Sequence, residues 1–418
     1  MQQHFQGSAL ARALVVGAAL AVGAVAGTPV SAQAEGDTIV LGSAISITGK
    51  YSQEGKNASD GYNFAVKRIN EMGGVKIKGK TYKLAIKYYD DESTPARTAQ
   101  LVERIINQDG IKYILGPYGS GTTKAAAPVT EKYKVSLVEA EGSSRSLFTQ
   151  GYRYMFAALS TSDQYLAPVI DLADELARKS GKNPSDMKIG MAFENDPFSL
   201  DVRQGVVDQA KKFNMKIVVD DKMPRDLSDI SATLTKMKAL RPDIIVFSGH
   251  TKGATTATRQ MKELGVNASI VAMTHCESAK LTTQFGAASE GILCPTQWAE
   301  TLKYKDDVFG TAMDYNKAFL AAHPDYKIVP YQAAQGSGAV EIWADAFRRA
   351  QSLDTEKLRD ALAATDMQTF YGNIKFSAEG NNIAKPMVLR QIQGGKYVVV
   401  APTKYASEPV VYPRKAVQ

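Results

Sequence analysis

The sequence predicts an α/β protein divided into two lobes, each built on a parallel sheet. Three observations carry that prediction. From Thr38 onward, short β-branched or apolar runs alternate with longer amphipathic ones, the rhythm of βαβ units. After residues 154–157 the alternation begins a second series. Of 418 residues, the part left after an N-terminal leader still exceeds the roughly 250 to 300 at which one hydrophobic core stops growing.

In the first series, residues 38–47 form a strand. Residues 53–72 follow with Ala58, Tyr62, Ala65, Val66 and Ile69 at helical spacing. Gly73-Gly74 stops that helix, and residues 83–90 are the next strand. Thr94-Pro95 pairs an N-cap residue with proline at the first helical position, and this helix ends near Gly110. Residues 111–144, IKYILGPYGSGTTKAAAPVTEKYKVSLVEAEGSS, then read as strand, glycine-rich turn, helix (122–133), strand and a turn of small polar residues.

The second series has helices at 162–179, 197–213, 228–240 and 253–264. Strands at 188–193, 215–220, 243–248 and 269–273 alternate with them. A further strand lies at 291–297. The pattern then changes to helices at 308–322, 331–350 and 355–364, and residues 386–400 alternate as strands about Gly394-Gly395. No flexible linker separates the series, so rigid crossings and a hinge are expected rather than a tether.

The N-terminus reads as an export leader. Arg12 precedes an apolar run over 13–25, and Ala32-Gln33-Ala34 fits a small-residue cleavage site before Glu35. The run is shorter than the roughly 18 residues a spanning helix needs. A periplasmic or extracellular protein follows, with a formal charge of +7 that falls to +6 without Arg12. Its Lys and Arg are scattered among Asp and Glu without a basic stripe, which argues against nucleic acid. Cys276 and Cys294 in an oxidising compartment leave a bridge and two free thiols both open. Neither C-x-x-C nor a paired His spacing occurs, so no metal is expected.

Residues 111–144 are the most informative stretch. Two parallel strands end there in loops rich in hydroxyls and backbone N–H groups, and ligands of open α/β sheets bind outside such strand ends. The first loop opens a helix, whose N-terminus favours an anion such as a carboxylate.

The order of motifs adds a resemblance. IVLGSAISITGKYSQEGKNASDGYNFAVKRINEMGGVKIKGK, then YDDESTPARTAQLVERIINQDGIKYILGPYGSGTTKAAAPV, then GYRYMF, MAFENDPFSLDVRQGV and the SEGIL before Cys294 resemble type 1 periplasmic binding proteins of the leucine/isoleucine/valine-binding group. The likeness covers nearly all of 38–400. It implies two Rossmann-like lobes joined by three crossovers, here placed near Leu159, Trp298 and Lys385. The lobes would then be 35–158 plus 299–384 and 159–298 plus 385–418, after a signal peptide over 1–34. It also implies a monomeric carrier that performs no chemistry and needs no cofactor. Such a carrier delivers a small molecule, in this group an amino acid, to an ABC permease in the inner membrane.

The resemblance assigns Ser120 to the ligand carboxylate, with the N–H groups of Gly121 and Thr122 facing the same anion. It places Glu141, Gly142 and Ser143 in the loop that clasps the head group, where Glu141 replaces a small residue and offers a partner for an ammonium. Phe198 takes the position of an aromatic cover. His250 and His275 follow second-series strands and face the expected cleft, and Tyr118 is a loop aromatic on the first-lobe side. The acidic partner expected near 274–277 has only Glu277 available, out of register. Without either carboxylate the ligand would be an ammonium-free acid, such as an aromatic carboxylate, or a small amide or urea.

Two other classes read less well. Gly116-x-x-x-x-Gly121 has Thr122 where a P-loop places lysine, with Lys124 displaced by two. A secreted hydrolase lacks the G-x-S-x-G elbow, although a serine beside a distant histidine leaves a triad open.

Overall fold

Strand β1 (Thr38–Ile45) sits at the centre of the first sheet. The computed structural model describes residues 34–223 and 226–415, all within one compact unit, Ala32–Gln418. The expected leader lies outside the described residues except for Ala34. After β1 come α1 (Ser52–Glu71), β2 (Val75–Ile77), β3 (Lys80–Asp90), α2 (Pro95–Asn107), β4 (Tyr113–Leu115), α3 (Ser120–Lys132), β5 (Ser136–Glu139) and β6 (Met155–Ala157). The sheet order is β2-β3-β1-β4-β5-β6, parallel except for the β2–β3 hairpin.

The second sheet follows α4 (Ala167–Lys179). It is built from β7 (Lys188–Glu194), α5 (Pro197–Lys212), β8 (Lys216–Met223), α6 (Ser231–Leu240), β9 (Ile244–Ser248), α7 (His250–Leu264), β10 (Ile270–Met273), α8 (Leu281–Phe285) and β11 (Leu293–Thr296). The chain then forms the hairpin β12 (Lys305–Asp306) and β13 (Gly310–Thr311), helices α9 (Ala312–Ala322), α10 (Tyr331–Ala350) and α11 (Thr355–Ala363), and the hairpin β14 (Asp366–Gln368) and β15 (Asn373–Lys375). It returns with β16 (Val388–Gln393) and β17 (Lys396–Ala401), which complete the order β17-β16-β11-β10-β9-β7-β8. Five of these strands are parallel and the returning pair is antiparallel.

Both sheets reverse their strand order, the first beside its central strand and the second one strand from its edge. β1 lies between β3 and β4, and β7 lies between β8 and β9. Such switch points open a crevice at the carboxyl ends of the strands, because the two flanking connections leave to opposite faces. The loops after β1, β4, β7 and β9 are therefore the ones the fold assigns to a ligand.

Helix α10 matches its sequence expectation residue for residue. It packs closely on α1, where a Cβ at Gly61 would stand 2.1 Å from the Ala333 carbonyl oxygen. Ser337 Oγ also donates to the Gly61 carbonyl at 2.7 Å. Several helices start elsewhere than expected, among them α4 at Ala167 after a 3₁₀ turn over Ser162–Gln164, α6 at Ser231 rather than 228 and α3 at Ser120 rather than 122. α9 starts at Ala312 rather than 308, because Asp306 Oδ1 accepts the N–H groups of Val308 and Phe309 in a tight turn. The Thr311–Asp314 capping box then begins the helix. α7 starts at His250, three residues early, with Gly249 as its N-cap.

Cys276 and Cys294 form a disulfide, with Cα atoms 5.8 Å apart. Ser160, Gln297 and Lys385 meet where the chain passes between the sheets. Ser160 N–H donates to Gln297 Oε1 (3.2 Å), Gln297 Nε2 donates back to the Ser160 carbonyl (3.0 Å), and Ser160 Oγ donates to the Lys385 carbonyl (2.6 Å).

Candidate ligand-binding cleft

The strand ends of the two sheets meet at Tyr118, three residues beyond β4. Its hydroxyl lies 3.1 Å from His250 Nδ1 and 3.0 Å from His275 Nε2. His250 opens α7 after β9 and His275 follows β10, so the parallel order of these neighbouring strands brings the two rings to 4.9 Å between centroids. Phe198, in the first turn of α5, packs 5.1 Å from His250 and 5.1 Å from Tyr165. Tyr51 stands 4.9 Å from the His250 ring.

These rings close one side of an inner chamber of about 10 Å³, roughly the room of one water. Tyr118, Glu141, Ser143, Phe198, His250 and His275 all line it. So do Tyr165, Tyr331 and Gln335, which sequence reasoning missed. Tyr331 and Gln335 share one face of α10 at i, i+4 spacing, and within an apolar helix they read as core. An outer cavity of about 100 Å³ adjoins, lined by Ser120, Gly121 and Thr122 together with Lys50, Asp196 and His250. The expected carboxylate grip is thus divided, with Ser143 inside and Ser120 outside.

Ser120 does not cap α3, because Gly119 holds that position with φ +88°. Its Oγ accepts the backbone N–H groups of Ser143 (3.2 Å) and Ser144 (2.9 Å), joining the two loops. One proton of that hydroxyl remains as a donor.

The N–H groups of the second loop already hold an acid. Glu139, the last residue of β5, accepts from the N–H groups of Glu141 (2.6 Å) and Gly142 (2.8 Å) and from Thr123 Oγ1 (2.8 Å). Burial pushes its carboxyl up to about 7 despite those donors. Gly142 therefore departs from the expected role, since its N–H serves Glu139 and it lines neither cavity. Gly116 accommodates the same carboxylate, because a Cβ there would meet Glu139 Oε2 at 2.4 Å.

Glu141 is 6% exposed, and its Oε2 accepts from Gln335 Nε2 at 2.8 Å. Burial pushes this carboxyl well above its ordinary value, against the Gln335 hydrogen bond. Its Oε1 and the Ser143 hydroxyl have no partner. A buried polar atom in that state costs free energy until something binds it. Glu277 is turned elsewhere, 3.1 Å from Arg390 Nη1 and outside both cavities.

His250 and His275 carry opposite tendencies. Burial lowers both, but Asp196, with Oδ2 3.5 Å from His250 Nε2, and nearby Glu194 outweigh it and hold His250 above its ordinary value. Burial and the neighbouring His250 keep His275 well below the usual range. Asp196 caps α5 by accepting the Ser199 N–H at 3.0 Å. The D-P start of that helix was a legible signal for it. Lys50 pairs with Glu194 between the loop after β1 and the end of β7.

Two sheets directing their strand ends at one enclosed polar chamber define the architecture of type 1 periplasmic binding proteins. The chain belongs to the family described as Periplasmic binding protein, whose model matches residues 38–396.

A leucine-, isoleucine-, valine-, threonine- and alanine-binding protein of Pseudomonas aeruginosa is 24% identical over 345 residues, 82% of this chain and 87% of its own. The leucine-specific-binding protein of Salmonella typhimurium is 25% identical, covering 84% and 90%. Among solved structures, a branched-chain amino acid transporter substrate binding protein from Streptococcus pneumoniae, in complex with isoleucine, aligns with a TM-score of 0.74 at 22% identity. That alignment covers 87% of this chain and all 100% of the other. A solute binding protein from Rhodopseudomonas palustris, in complex with 3,4-dihydroxy benzoic acid, gives 0.73 at 17% identity over 91% and 99%. At these identities the solved structures establish the fold.

Proposed function

We propose that this chain is the extracytoplasmic substrate-binding component of an ABC importer. It holds an amino acid, branched-chain or otherwise hydrophobic, between its two lobes and hands it to an inner-membrane permease. The observation that carries the reading is the outer cavity of about 100 Å³ together with the inner chamber it adjoins, both set between the strand ends of the two sheets. Glu141 Oε1 and Ser143 Oγ stand in the inner chamber without partners. An ammonium beside Glu141 would supply the cation that lets this buried carboxyl ionise. Phe198, Tyr165 and Tyr331 offer apolar faces to a side chain.

The protein works as a monomer in the periplasm after cleavage near Ala34. Among the described residues no helix is long and apolar enough to cross a membrane. The lobes are 35–158 with 299–384 and 159–298 with 385–418. The hydrogen bonds joining Ser160, Gln297 and Lys385 support a hinge of three crossings at those boundaries. It is a carrier rather than a hydrolase, since Ser120 Oγ engages backbone N–H groups and, among the described residues, no imidazole hydrogen-bonds Ser120 or Ser143.

Glu277 favours a second reading. Its pairing with Arg390 leaves Glu141 as the one carboxylate lining the inner chamber, so an aromatic carboxylate or a small amide becomes the ligand if Glu141 stays protonated. A thermal-shift panel of branched-chain and other amino acids, aromatic carboxylates and small amides tests both. Stabilisation by amino acids supports the first reading and stabilisation by ammonium-free acids or amides the second. An intact protein that responds to none of them removes both.

A further inference from the structure

We propose that Glu54, His250 and His275 form a binding site for a late first-row transition-metal dication of the Zn²⁺ or Ni²⁺ class. One carboxylate oxygen and one nitrogen from each ring lie within 4.8 Å of one another. The three side chains are 1%, 4% and 3% exposed. Two imidazoles and a carboxylate form a donor set that suits such ions. Four-coordinate bonds near 2.1 Å place ligand atoms about 3.4 Å apart, so shifts on the order of 1 Å assemble the site.

Two buried donor atoms point independently to a missing ligand. Glu54 Oε2 and His275 Nδ1 have no hydrogen-bond partner. The other oxygen, Glu54 Oε1, accepts the Thr251 N–H at 3.0 Å, which carries the carboxylate from α1 across to the start of α7. Tyr118 adds a further constraint. Its hydroxyl touches both rings but has one proton, so it donates to one ring and accepts from the other. With a neutral His250 turning its Nε2–H to Asp196, Tyr118 donates to His250 Nδ1 and accepts from His275 Nε2–H, and an ion takes His250 Nδ1 in exchange for the Tyr118 hydroxyl. That leaves His275 Nδ1 as an open, buried lone pair, which a metal satisfies and an apolar ligand does not.

The surroundings are negative. Glu194 and Asp196 lie within the same reach of His250, with Lys50 paired to Glu194, so carboxylates outnumber lysines around the rings. The pair escaped the sequence motifs because its spacing is topological: the adjacent strands β9 and β10 bring the rings together. Glu54 lies on α1 and the histidines follow strands of the second sheet, so an ion here also ties the two sides of the cleft. Glu141 and Ser143 remain for an organic ligand, and this proposal stands apart from the identity of that ligand.

Equilibrium dialysis of the folded chain against ZnCl₂ and NiCl₂, with metal analysis, tests it. One ion per chain is expected in the wild type and in His323→Gln, which controls for surface imidazole. His275→Ala and Glu54→Gln should each weaken binding by at least about tenfold, with circular dichroism confirming that they fold. Absence of binding up to about 1 mM ion, or unchanged binding in both variants, overturns the proposal. If the variants fail to fold, X-ray absorption of the zinc-loaded wild type decides. Imidazole scattering with nitrogen and oxygen ligands at about 2.0 to 2.1 Å supports the site, and an all-oxygen shell overturns it.

Discussion

Ser120 Oγ accepts the backbone N–H of Ser144 at 2.9 Å, so the hydroxyl assigned to the ligand also fastens the loop after β5 to the first turn of α3. Ser120→Ala leaves that N–H and the Ser143 N–H without their acceptor in a buried setting. The unliganded variant should lose about 1 to 3 kcal/mol of stability in urea denaturation, besides any loss of affinity. An unchanged midpoint would show that water replaces the hydroxyl at no cost.

Glu141→Gln separates the two ligand readings. For an amino acid, removing the charge opposite the ammonium should cost about 1.5 to 3 kcal/mol in isothermal titration. Binding of an ammonium-free acid should persist or tighten, because the amide retains hydrogen bonding without a carboxylate facing the ligand. Equal affinities for amino acids would take Glu141 out of ammonium recognition.

Lys385 gives the crossing between the two sheets a pH dependence. Its ammonium is buried, donates to the Tyr371 carbonyl at 3.0 Å and lies 4.1 Å over the Tyr371 ring. Burial pushes its pKa down to about 7. An unfolded lysine keeps its proton to about pH 10.4. Between those values the unfolded chain holds the extra proton, so this contribution makes stability rise with pH, and it is least favourable below 7. Lys385→Met should flatten the slope between about pH 7 and 10, measured as denaturant midpoints across a pH series. A slope equal to the wild type's would assign the effect to other groups.

The disulfide closes a loop with a sequence separation of 18. Replacing both Cys276 and Cys294 by serine should cost about 3 kcal/mol, chiefly by freeing the unfolded chain. Matching unfolding curves with and without reductant in the wild type would contradict this.

Much of the fold was legible because periodicity reports on burial. Helix α10 read correctly from Tyr331 to Ala350, and the strand-end positions of His250 and His275 followed from the alternation of strands and helices, whereas Phe198 was placed by the family resemblance. The β12–β13 hairpin did not show, since strands this short have no period and depend on the Asp306 side chain for their turn. Tyr331 and Gln335 looked like core because a chamber inside a protein is lined by the same residue types as its interior. The disulfide stayed open for a related reason: separation along a chain does not fix separation in space. Glu139 was the least legible residue, a carboxylate at the end of an apolar strand whose partners are backbone atoms of the next turn.

That last feature makes the loop after β5 a receptor occupied by its own chain. Its shape is maintained by a resident acid, as a mould is kept open by its casting. Shortening the resident should therefore leave an imprint that solvent anions can fill. A Glu139→Gly protein is expected to regain thermal stability when acetate is added, while the wild type stays indifferent. The N–H groups of Glu141 and Gly142 are thereby closed to any outside anion, and the Ser143 hydroxyl is left as the open group of that loop.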